Sequence, residues 1–214
     1  MTNFIQLPLQ FKIKEFLRKK KKKHYIIEGE NNQILSKNPD NFRRLRVQIY
    51  GNDNIIDIRT SAGFVAAIYI GMPDCPVCGC RVIVENDATS NGIMIRLLEN
   101  NSEVLINEDV MFGDDIKIYA SDTHSILNER SQVTNIGRNI TFGKHVWIGT
   151  GAAIAKNTEI AEGCVVGMKS VVCGKFTEPN CVIAGNPARV VKHNIRWDRE
   201  RPNNLIKQQE NTHA

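Results

Sequence analysis

Ser121-Asp122-Thr123-His124 sets a carboxylate and an imidazole two residues apart in a polar stretch, a pairing suited to moving a proton. A neutral histidine, with a reference pKa of about 6.5, accepts a proton from a hydroxyl near neutral pH, so His124 is a candidate general base. On an extended segment Asp122 shares its face, where it can orient the ring and stabilise its charged form. Trp147 offers a large surface for stacking on a substrate or for anchoring a subunit contact. His145 is read as solvent-facing or inter-subunit, and His24, His193 and His213 lie towards the ends. Cys75, Cys78 and Cys80 form a knuckle, but a structural zinc site takes four ligands and no second Cys-x-x-Cys occurs. A turn with reduced thiols is expected there, with no metal. A zinc-dependent hydratase would need three converging histidines, and only His124 and His145 fall where the repeats do.

These residues must be held by something, and the sequence names it. Ile136, Phe142, Ile148, Ile154, Ile160, Val166 and Val172 stand six apart, each of the first six followed by Gly or Ala. Six residues turn an α-helix through about 600°, which would smear the apolar side chains round its axis. A chain that turns a corner at each hexad and stacks coil on coil puts them all inside, which is a hexapeptide β-helix. Compact residues at the fifth position, Ile140, Val146, Ala152, Thr158, Cys164 and Ser170, suit a narrow interior. The period also holds at Ile106, Phe112 and Ile118. It fails from Ser121 to Asn135, where His124 and Arg130 take the apolar phase; a loop leaving the solenoid is expected there.

The 214 residues are 42% hydrophobic and 24% charged, with no apolar run long enough to cross a membrane. The N-terminus lacks a signal-peptide layout, so a cytoplasmic location is expected. The net charge of +5 is misleading until located: residues 11–24 carry +7 and residues 25–214 carry −2. That distribution argues against a nucleic-acid-binding body. Residues 1–24 read as a basic, helical appendage, with peripheral contact at the inner membrane as the alternative. Residues 25–103 carry short β-rich runs with a poor hexad period, either irregular coils or a cap. Residues 104–185 form the β-helix with its loop at 121–135, and 186–214 are a C-terminal extension, polar and frayed from 201.

The hexads, together with Val182-Ile183-Ala184-Gly185-Asn186-Pro187-Ala188-Arg189-Val190-Val191-Lys192, resemble the hexapeptide-repeat acyltransferases. Ser121 to Ile126, His145 to Gly149 and Phe176 to Arg199 look like the sugar O-acetyltransferase branch, closest to bacterial capsular and polysialic-acid O-acetyltransferases. The resemblance implies an all-β, left-handed parallel β-helix and a homotrimer with active sites between subunits. It implies acetyl-CoA as co-substrate and a surface saccharide as acceptor, capsular or lipopolysaccharide. His124, Asp122 and Trp147 would serve the chemistry. Gly149, Thr150, Met168, Cys173, Gly174, Lys175, Arg189 and Lys192 would meet coenzyme A, the last two at its phosphates. Backbone N–H groups near Gly149 or Gly151 are the expected oxyanion donors. A small free sugar, an amino sugar or a xenobiotic is the alternative acceptor, and a non-catalytic trimeric scaffold the further alternative.

Overall fold

The computed structural model describes residues 4–6 and 24–212. The expected helical appendage at 1–24 lies outside these, apart from His24 and a three-residue strand, Phe4–Gln6 (β1). From Tyr25 to Gly185 the chain winds as one triangular solenoid with three sheet faces, a left-handed parallel β-helix.

The first face stacks β1, β3 (Gln33–Ser36), β5 (Ile55–Ile58), β7 (Arg81–Val84), β9 (Glu103–Ile106), β12 (Asn139–Phe142), β15 (Glu159–Ile160) and β18 (Lys175–Phe176). The second holds β10 (Met111–Phe112), β13 (Trp147–Ile148), β16 (Val165–Val166) and β19 (Val182–Gly185). The third holds β2 (Tyr25–Glu28), β4 (Leu45–Tyr50), β6 (Phe64–Ile70), β11 (Ile116–Tyr119), β14 (Ala153–Ile154) and β17 (Val171–Val172). A single helical turn, α1 (Asn41–Arg44), leads into β4. Strand β8 (Thr89–Leu97) joins the last two faces, pairing with β10 through Thr89 and Ser90 and with β11 through Ile93 to Arg96. Residues 25–103 are therefore coils of the same solenoid. Their hexad period is poor because Ile34 stacks on Ile56 and Ile56 on Val82, 22 and 26 residues apart, whereas Ile148 stacks on Val166 at 18.

The axis is filled as the hexads require. Phe142, Ile148, Ile154, Ile160, Val166 and Val172 are buried, as are all six fifth-position residues. Phe112 meets Phe64 and Phe142 edge to face, with ring centroids 6.4 and 5.2 Å apart. Burying each such ring contributes about 1.5–3 kcal/mol. The corners need left-handed backbone, supplied on one edge by Asp87, Asp109, His145, Gly163 and Asn180 in successive coils. Where the second corner of the triangle tightens, Gly149 has no room for a Cβ: Met168 N would lie 2.7 Å from it.

Ile136 departs from the expected pattern. It is 55% exposed, because the loop occupies residues that would otherwise have formed that coil. The chain end departs too. Past β19 the chain reverses into antiparallel β20 (Ala188–Lys192), and the stretch expected to fray forms a helix, α2 (Pro202–Thr212). Pro202 opens it, and Glu200 Oε1 accepts from Arg201 N and Asn204 Nδ2, capping the first turn.

Candidate active site

Where β11 ends, the chain leaves the solenoid at the corner between the third and first faces and returns at β12. Its root is a pair of tight turns: Thr123 N donates to Ser121 Oγ at 3.0 Å, and His124 N to the Asp122 carbonyl at 2.8 Å. Beyond the root the arm is an antiparallel ribbon, with Leu127 facing Val133 and Thr134 N donating to the Ile126 carbonyl. Asn135 staples the ribbon to its root. Its amide donates to Asp122 Oδ2 (2.9 Å) and to the His124 carbonyl (2.8 Å), and its oxygen accepts from Ile126 N (2.8 Å).

Asp122 does not orient His124 as the sequence suggested. Its carboxylate bonds Lys156, from the same corner one coil on, and Asn135. Those bonds, Lys156 first, hold its carboxyl below the ordinary 3.8. Asp122 fixes the backbone that carries the histidine, not its ring. The His124 imidazole is exposed and takes no hydrogen bond among the described residues. It lines a cleft of about 510 Å³ with Asn135, Ser125, Glu99, Arg138 and Cys75. Asn135, Lys156 and Arg138 escaped the sequence reading, since each sits at a corner or loop end where Asn, Lys and Arg are common.

The residues expected to meet coenzyme A lie on two edges. Thr150 and Met168 occupy the corner between the second and third faces in consecutive coils, Met168 being 66% exposed. Cys173 and Gly174 are exposed at the edge that bears the histidine loop, with open space where a Gly174 Cβ would stand. Lys175 pairs with Glu159 at 3.4 Å across β15 and β18 and is not a free cation. Arg189 and Lys192 lie exposed on β20. At the corner where the oxyanion donors are expected, Gly149 N donates to the Val166 carbonyl and Gly151 N to the Asp114 carbonyl. Among residues 149–151 and 167–169 of this corner, the N–H groups left without an acceptor are those of Thr150 and Met168.

His145, expected to be solvent-facing or inter-subunit, is half-buried against its own chain. Its ring stacks on Trp197 (centroids 4.0 Å apart, planes 9° from parallel), and Nδ1 lies 2.6 Å from Asp109 Oδ2. Trp197 Nε1 returns a bond to the His145 carbonyl at 2.8 Å. The C-terminal extension thus runs as a strap along the edge between the first and second faces. Trp147, 39% exposed, stands 5.9 Å from Trp197, on this side of the molecule. Of the cysteines, Cys80 points into the interior and bonds the Glu99 carbonyl, while Cys75 is exposed. Cys164 and Cys181 face each other inside the solenoid at 3.4 Å, and burial pushes the Cys181 thiol up to about 12.

A parallel β-helix that throws out a histidine-bearing arm between stacked corners is the framework of the hexapeptide-repeat acyltransferases. Over 176 residues the chain is 30% identical to the polysialic acid O-acetyltransferase of Neisseria meningitidis, covering 80% of this chain and 78% of that one. It is 30% identical over 129 residues to the polysialic acid O-acetyltransferase of Escherichia coli O1:K1 / APEC, 60% of this chain. That alignment spans 41% of the Escherichia coli protein's length. The solved structure of the polysialic acid O-acetyltransferase OatWY shares the fold, with a TM-score of 0.56 at 23% identity over 100% of this chain and 95% of that one. No protein-family model matches the sequence. The chain belongs to the hexapeptide-repeat acyltransferases, in their sugar O-acetyltransferase branch.

Proposed function

We propose that this protein moves an acetyl group from acetyl-CoA to a hydroxyl of a bacterial surface saccharide, capsular or lipopolysaccharide, with His124 as general base. The observation that carries the reading is the position of His124: an unpartnered imidazole on a stapled arm, lining an open cleft. The acceptor hydroxyl gives its proton to the ring as its oxygen forms a bond to the thioester carbonyl carbon. The intermediate then collapses, the C–S bond breaks, and the proton passes to the departing thiolate. Thr150 N–H is the donor we assign to the pantetheine arm or the oxyanion, with Met168 beside it. Arg189 and Lys192 would meet the phosphates.

His124 and Thr150 lie on different edges of one chain, which supports a site completed by a neighbouring copy in a homotrimer. The exposed Ile126, Leu127 and Val133 on the arm give that neighbour an apolar surface to cover. Work in the cytoplasm or at the inner membrane follows from the chemistry, since acetyl-CoA is made there. A second reading, a small free sugar as acceptor, is favoured by the cleft, whose volume suits a compact ligand.

The test is thiol release from acetyl-CoA against sialic-acid polymers, other surface glycans and simple sugars. Turnover on a polymer supports the first reading, and turnover on simple sugars alone supports the second. Coenzyme A binding with no transfer to any acceptor would remove both.

A further inference from the structure

One coil carries more chain than its neighbours. Ile70 and Arg81 stand eleven residues apart, whereas their stacked partners Ile49 and Ile55 below, and Leu97 and Glu103 above, stand six apart. Five extra residues, Gly71 to Cys75, leave the solenoid at the corner between the third and first faces, the corner from which the histidine arm departs two coils on. They form a hairpin: Met72 N donates to the Cys75 carbonyl and Cys75 N to the Met72 carbonyl, both at 3.0 Å, with Pro73 and Asp74 at the tip. On the way back, Val77 N donates to the Tyr50 carbonyl at 3.0 Å and Cys78 N to Asn100 Oδ1 at 2.8 Å, so the hairpin is rooted in the coils on both sides. Cys75, Pro76 and Val77 form one wall of the cleft that His124 lines. The arm forms the opposite wall, and Leu98 to Asn101, in the coil between them, form the floor.

We propose that this hairpin is the specificity element of the site: it closes the His124 cleft towards the start of the chain, so that the saccharide lies across the corner, between Pro76 and the imidazole, and cannot extend along the solenoid axis. The proposal rests on the reading of His124 as the base and adds the element that holds the saccharide against it. A six-residue corner like those above and below would lie flush and leave that side open, so the wall exists only because of the insert. Hairpin and arm are two coils apart, roughly 10 Å at a strand spacing of about 4.8 Å, which leaves room for one sugar ring between their side chains. The lining suits such a ring. Pro76 and Cys75 are exposed on the wall and offer an apolar surface, while the floor and the arm supply Glu99, Asn100 and Arg138. Glu99 Oε2 accepts from Gly137 N at 2.7 Å, and its Oε1 takes no bond among the described residues. An apolar surface with a few fixed polar groups orients a ligand that has C–H faces and hydroxyl edges, as a sugar does.

Cys75 is exposed on the wall and serves as the reporter. Its alkylation by iodoacetamide is followed by peptide mass spectrometry on the full chain, with polysialic acid, free sialic acid or acetyl-CoA present. A saccharide that occupies the cleft should slow alkylation of Cys75 about tenfold at ten times its half-saturating concentration, while acetyl-CoA leaves the rate unchanged. Deleting Gly71 to Cys75 joins Ile70 to Pro76 and restores the six-residue corner of the neighbouring coils. That variant should keep the circular dichroism of the parent, raise KM for the saccharide at least about tenfold, the equivalent of one or two lost hydrogen bonds, and leave KM for acetyl-CoA as it was. Undiminished alkylation with both saccharides, or an unchanged saccharide KM in the deletion variant, would overturn the wall. So would a changed oligomeric state in that variant, which would make the hairpin a contact between copies. Should the deletion fail to fold, the alkylation series decides alone. Protection of Cys75 by a saccharide that the protein does not acetylate would remove the active-site reading and leave the wall standing; acetylation without protection would do the reverse.

Discussion

His124 owes its usefulness to what it lacks. A ring with no partner among the described residues is free to meet a hydroxyl, but the backbone beneath it must then be fixed by others. Asn135 and Lys156 do that, through Asp122 and the His124 carbonyl. Removing the imidazole should therefore slow the chemistry with little effect on folding: His124→Ala is expected to lose about 10²–10⁴-fold in turnover while its melting temperature and acetyl-CoA affinity stay unchanged. Thiol release and a thermal melt, run side by side, check this. Near-normal turnover would take the base role away from His124. Asn135→Ala makes a subtler prediction. It deletes three hydrogen bonds at the root of the arm, so the histidine is presented loosely. Turnover should fall by about tenfold or more while the solenoid melts as before, since ~1 Å of misplacement costs up to 10²-fold. Unchanged turnover would mean that Lys156 alone holds the root.

At the scale of elements, the interior of the solenoid was legible because burial imposes a period. Phe142 to Val172 had to be apolar at every sixth residue, and those side chains are the axis. Ile136 shows where that logic stops. Phe112 stacks on Ile148 at 36 residues, twice the regular 18, so the arm inserts a whole coil's worth of chain and leaves the arithmetic phase intact. Periodicity therefore counted Ile136 as interior, although it lies on the returning limb of the arm. The partners of Asp122 and His145 were illegible for another reason. Lys156 and Trp197 reach them across 34 and 52 residues, and only stacking of coils makes them neighbours. The coil arithmetic yields its own prediction. Deleting residues 121–138 removes 18 residues and joins Ala120 to Asn139, which then falls where Asn157 turns the next coil. That chain should fold, with the β-sheet circular dichroism of the parent, yet release no thiol. Loss of cooperative melting would mean that the arm is needed to close the coil. Truncating the axis itself is the contrast: Phe142→Ala empties the aromatic stack and should cost about 3–5 kcal/mol, read from denaturant unfolding.

On the scale of the whole molecule, the C-terminal strap ties the last coil to the middle of the solenoid. It begins at His193, paired with Glu178, passes through Trp197 on His145, and ends where Arg199 bonds Asp109, Thr89 and the Asp87 carbonyl. Trp197 is only 8% exposed, although it lies outside the solenoid. Burial pushes the Asp109 carboxyl up, but the bonds from His145 and Arg199 outweigh it and hold the group below its ordinary 3.8. A carboxyl lowered by folding contributes its stability in full above that ordinary value and loses it as pH falls through the lower folded value. The strap should accordingly stay closed from neutral pH down to about 4 and loosen below it. The protein has two tryptophans, Trp147 and Trp197, and both report on this contact. Acidification should red-shift their emission over that window. Arg199→Ala, which removes a hydrogen bond and an opposing charge from Asp109, should move the transition to higher pH and expose the chain after residue 193 to protease at neutral pH. If the emission of Arg199→Ala matches the wild type across the whole range, the strap is held by the His145–Trp197 stack instead. In that case Trp197→Ala, and not Arg199→Ala, should release it.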